Sequence, residues 1–80
     1  MNMNLISLKS GEKAVFIDVQ GGWGIIRRLE AMGIRAGVVI TKVSDQFLHG
    51  PVIIQVNNTQ LAIGYNMARK IIVNKIEDES

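Results

Sequence analysis

One amphipathic helix, ended by a glycine, interrupts a chain that otherwise alternates like strands, and that interruption limits what the chain can fold into. Ile25, Ile26, Leu29 and Met32 recur at i, i+1, i+4 and i+7, one face of a 3.6-residue period. Arg27, Arg28 and Glu30 take the opposite face. Gly33 stands where a helix end needs positive φ, and Ile34 follows as the apolar residue able to fold back on Leu29, the pattern of a Schellman stop. Arg35-Ala36-Gly37 then offers a second glycine-ended turn before Val38-Val39-Ile40 switches to β-branched chemistry.

The flanking segments read as short strands. Lys13 to Val19 alternates, with Val15, Ile17 and Val19 on one face and Ala14, Phe16 and Asp18 on the other. Gly21, Gly22 and Gly24 form a permissive loop around Trp23 before the helix. Val38 to Ser44 makes a second strand, and the loop from Asp45 to Pro51 ends in a residue that cannot donate to a ladder. Val52, Ile54 and Val56 share a face, Asn57-Asn58 suits a two-residue hairpin turn, and Leu61 and Ile63 return in the partner strand. Gly64 to Arg69 reads as one helical turn, with Ala68, Ile71 and Val73 as core positions around a last strand. Near the start, Leu5 and Leu8 precede a Ser10-Gly11 turn, while Met1 to Asn4 looks helical and is assigned no element. About five short strands, one helix between the first of them and a helical turn near the C-terminus predict a mainly β domain. The expected form is a small SH3-like or OB-like barrel, closed so that no sheet edge is exposed.

Composition narrows the chemistry. Aromatics are 5% of the chain, namely Phe16, Trp23, Phe47 and Tyr65, so the core must be built from Ile, Val and Leu. The absence of cysteine excludes disulfides, thiolate metal sites and a cysteine nucleophile. Leu5, Ile6 and Leu8 are too few for a signal segment, and no apolar run approaches the ~20 residues of a spanning helix, which predicts a soluble protein, while the lack of cysteine fits a cytosolic one. Net charge is +2, but Glu77, Asp78 and Glu79 sit together at the end. We therefore expect a basic domain over residues 1–76, with nine positive and four negative side chains, and an acidic, disordered tail over 77–80.

Few residues can carry chemistry. His49 and Asp45 are four apart in a loop, short of the three or four ligands a stable metal site needs. Gly22-Trp23-Gly24 lacks the remaining glycine of a dinucleotide fingerprint, and no nucleophile, base and orienter trio exists, so no enzyme activity is expected. Arg27, Arg28 and Arg35, with Lys42 and Arg69 elsewhere, would make a basic patch, or else a solvated helix face in which Glu30 pairs locally. Only Phe16 and Phe47 could stack bases, so a nucleic-acid partner is not expected. Trp23 and Tyr65, beside the two helical segments, would either anchor another protein or cover the barrel ends.

In order along the chain, Leu5, Leu8, Gly11-Glu12, Gly21-Gly22, Arg28-Leu29-Glu30-Ala31-Met32-Gly33-Ile34, Gly37, Gly50-Pro51-Val52, Leu61-Ala62 and Ala68 through Val73 resemble the FeoA family. The resemblance covers residues 5 to 73. It implies an SH3-like barrel and a cytosolic accessory of ferrous iron uptake. The implied partner is FeoB, a membrane transporter with a GTPase domain, so the membrane is met only through that partner. It also admits Fe(II) or another divalent transition metal as a ligand, and a homodimer. Many relatives carry Leu-Arg after the hairpin, where this chain has Ala62-Ile63-Gly64, and proline before the glycine of the second turn, where it has Ala36. The expected partner surface is Trp23, Arg27, Arg28, Arg35 and Tyr65. The competing readings are a small barrel binding RNA or single-stranded DNA, and a metal-sensing regulatory domain.

Overall fold

Six strands form, all but the first with branched residues at alternate positions: β1 (Asn2–Asn4), β2 (Lys13–Val19), β3 (Val39–Ser44), β4 (Val52–Val56), β5 (Thr59–Ile63) and β6 (Ile71–Lys75). Two helices join them, α1 (Trp23–Ala31) and α2 (Tyr65–Ala68), with a single 3-10 turn at Leu5–Ser7 and a left-handed turn at Phe47–His49. The computed structural model describes residues 2–44 and 47–77. Asp45 and all but Glu77 of the expected acidic tail lie outside them.

The strands form one antiparallel sheet in the order β1-β6-β2-β3-β4-β5. Residues from both ends of that order, Leu5 just after β1 and Ile63 of β5, meet in a single core with Ala14, Phe16, Ile40, Ile54, Ile71 and Val73. The sheet therefore wraps around its core in the expected SH3-like manner. Its ladder stays open, because β1 and β5 each have one hydrogen-bonded neighbour among the described residues. The sixth strand is the segment with the helical look. Asn2 to Asn4 pairs with Asn74 to Ile72, a tertiary contact that overrides three residues of weak local propensity.

The alternation expected in β2 breaks in its middle. Ala14 and Phe16 are buried, Ile17 and Asp18 are exposed, and Val19 is buried again. A bulge against β6, between Phe16 and Asp18, supplies the extra residue that flips the face. At the hairpin, Val56 pairs with Thr59 across Asn57-Asn58, and Asn57 takes the positive φ expected of it.

Helix α1 stops as its sequence dictates. Ile34 N–H donates to the Leu29 carbonyl at 2.9 Å and Gly33 N–H to Glu30 at 3.0 Å, with Gly33 at φ +85°. Leu29 and Ile34 are both buried, so the stop also fixes the helix to the core. Val38 N–H then bonds to the Arg35 carbonyl at 3.0 Å, closing the second turn around Gly37 at φ +91°. The helix begins earlier than its periodicity implies: Gly22 is the N-cap, and the N–H groups of Ile25 and Ile26 bond to its carbonyl. Trp23 and Gly24 are thus helical residues and not loop.

Lys42 corrects the expected basic patch. Its side chain is fully buried, and Nζ donates to the carbonyls of Leu5 at 3.2 Å, Ile6 at 2.9 Å and Leu8 at 2.5 Å. It shares the inward face of β3 with Ile40 and satisfies carbonyls around the 3-10 turn, which have no strand partner there.

Candidate partner-binding site

Helix α1 is a ridge with a hollow on each flank. Residues three apart on a helix are neighbours, so Ile25 and Arg28 turn to one side, Ile26 and Leu29 to the other. The first side, with α2, lines an open groove of ≈ 750 Å³. The second, with β2 and the turn after the helix, lines a small cleft of ≈ 190 Å³ formed mainly by apolar residues, among them Phe16, Ile26, Leu29 and Ile34.

The groove collects positive charge. Arg28 comes from α1, while Arg69 and Lys70 follow α2, and His49, Tyr65 and Asn66 add hydrogen-bonding groups around Ile25 and Met67. Among the described residues no carboxylate lines it. A stacked pair braces it, the rings of His49 and Tyr65 lying 4.3 Å apart at 18°. The chain reaches this position through two successive left-handed residues, Leu48 at φ 57° and His49 at φ 62°, which leaves Leu48 89% exposed. Gly64 caps α2, whose Ala68 is buried and holds the short helix against the core.

The five residues expected to meet a partner are therefore split. Arg28 and Tyr65 share the groove. Trp23, in the first turn of α1, is 77% exposed, and Arg27 projects from the ridge without lining either hollow. Arg35 sits on the opposite flank, at the apolar cleft with Asp18 and Glu30. None of these arginines forms an ion pair among the described residues, so the expected local pairing with Glu30 is not made. The described ion pair lies elsewhere, Lys75 Nζ to Glu12 Oε2 at 2.6 Å. It holds Glu12 below the usual carboxylate range, helped by the Lys9 N–H on Oε1 at 2.8 Å, and Lys75 above the usual lysine range.

Lys70 and His49 were not legible as groove residues. Lys70 has no local signal, and His49, considered as a metal ligand with Asp45, stacks on Tyr65. Among the described residues no group of three or more His, Cys, Asp or Glu is placed to hold a metal ion. No helix among them is long and apolar enough to cross a membrane.

The chain is similar to a candidate Fe(2+) transport protein A of Methanocaldococcus jannaschii, 36% identical over 69 residues that cover 86% of this chain and 82% of that protein. Its fold superposes on a crystal structure of an iron uptake regulatory protein (FeoA) with a TM-score of 0.87, at 29% identity, over 95% of this chain and 100% of that one. A manganese-dependent transcriptional repressor shares the fold alone, with a TM-score of 0.85 at 13% identity, over 94% of this chain and 42% of that one. The family model for the FeoA domain matches residues 3–75, spanning the sheet from Met3 onward, both helices and the groove between them, and this chain belongs to the FeoA family, whose work is Fe(2+) transport.

Proposed function

We propose that this protein is a cytoplasmic, non-catalytic accessory of Fe(2+) transport that acts by binding a FeoB-like membrane GTPase transporter. The partner surface is the α1 end of the molecule: Trp23, Arg27 and Arg28 on the ridge, with Tyr65 and Arg35 on its flanks. The observation that carries this reading is Trp23, a large apolar side chain 77% exposed beside two arginines without intramolecular ion pairs. Aromatic and arginine side chains are the residues that dominate binding energy at protein interfaces. Fe(2+) enters as the cargo of the system, and no ligand set is assigned to it on this chain. Co-purification of the transporter with wild type, and its loss with Arg27→Glu/Arg28→Glu, is the expected result. Undiminished capture by a folded double variant overturns the surface, and no capture by wild type overturns the function.

A further inference from the structure

Resting on that reading, we infer that the groove between α1 and α2 binds an acidic peptide segment of the partner, with alternating carboxylate and apolar side chains. The groove takes three of the chain's nine Lys and Arg, namely Arg28, Arg69 and Lys70, and none of the four Asp and Glu among the described residues. None of the three cations is neutralised by an ion pair within the described residues. A concave surface with this much unmatched charge favours a ligand of opposite sign, which it attracts at long range and orients on contact.

The chemistry between the cations decides what kind of anion fits. Ile25 and Met67 are half-buried and apolar, and they lie in the groove with Arg28, Arg69 and Lys70. An extended peptide can set apolar side chains on such a floor while its carboxylates reach the cations, since its side chains alternate in direction. A nucleic-acid backbone would leave Ile25 and Met67 facing phosphates. One face of the Tyr65 ring is also taken, because it is stacked on His49. Gly64 leaves room at the mouth of α2, where an added Cβ would meet nothing within 4 Å.

The test uses the full chain and a fluorescein-labelled peptide of alternating Glu and Leu, with a Gln-for-Glu copy and anionic lipid vesicles as separate arms. Binding is followed by anisotropy for the peptides and by co-sedimentation for the vesicles. We expect the Glu peptide to bind about tenfold or more tightly than its Gln copy, and Arg69→Glu/Lys70→Glu to remove that advantage. Lys13→Glu, at the opposite end of β6 from α2, serves as the charge control and should leave the advantage intact. Equal affinity for the two peptides, or binding to vesicles without binding to the Glu peptide, overturns the inference. A double variant that still captures the membrane transporter at wild-type strength overturns it as well, while leaving the accessory role standing. Failure of the wild type to capture the transporter rejects that role separately.

Discussion

Lys42 and the arginine pair Arg27/Arg28 carry the same charge, and the fold uses them in opposite ways. Lys42 is withdrawn from water and bonded to the carbonyls of Leu5, Ile6 and Leu8, so its positive charge holds the N-terminal segment onto β3. The side chains of Arg27 and Arg28 are exposed on α1 and make no ion pair or hydrogen bond among the described residues. A small basic domain thus divides its cations between those that hold the fold together and those left for a partner. The division follows from position: an inward place on a strand for one, the outer face of a helix for the others.

The comparison is broken most severely by Lys42→Met, which keeps most of the side-chain volume and removes the charge. The carbonyls of Ile6 and Leu8 then lose this donor, while that of Leu5 keeps the Leu8 N–H, and we expect a loss of roughly 3 kcal/mol in chemical unfolding, with early hydrogen exchange in Asn2 to Leu8. Gly33→Ala comes next. An added Cβ at Gly33 meets nothing within 4 Å, so the cost is backbone strain at φ +85°, about 1–2 kcal/mol by thermal melts. Glu12→Gln should do less and should show its effect through pH. The pairing that holds Glu12 low and Lys75 high stabilises the native state between the ordinary carboxylate and lysine ranges. Its contribution fades as pH falls through the lowered value of Glu12, and on the basic side as pH rises through the raised value of Lys75. The melting difference between wild type and Glu12→Gln should therefore be present near neutral pH and vanish in strong acid. Arg27→Glu/Arg28→Glu should leave unfolding within about 0.5 kcal/mol of wild type, the range for exposed positions, while capture of the transporter is lost.

Much of the scaffold is legible in the residues because it is locally determined. Gly33 with Ile34 and Leu29 gives the helix stop, Asn57-Asn58 the hairpin, and Ile71 and Val73 the last buried strand. What escapes is set at long range. Asn2 to Asn4 becomes a strand only because residues 72–74 arrive beside it, and the β2 bulge is fixed by β6 and not by β2's own alternation. Lys42 did leave a trace, since it falls two residues after Ile40 on the buried face, where a charge is costly unless it is hydrogen-bonded. The groove left a partial one, since Arg28 and Tyr65 are grouped by their chemistry while nothing local places His49 and Lys70 beside them. His49, Tyr65, Arg69, Lys70 and Arg28 come from three separate segments, and only the packed fold brings them together.

The open ladder has a consequence of its own for a concentrated solution. A sheet whose two end strands have no second strand partner among the described residues keeps an edge at each end of its strand order. At β1 the edge is three residues long, too short to seed a stack of chains. At β5 it runs over Thr-Gln-Leu-Ala-Ile, five residues without a charge to deter a neighbour. Fibrillar self-association under crowding would begin there, on the side of the sheet away from β1.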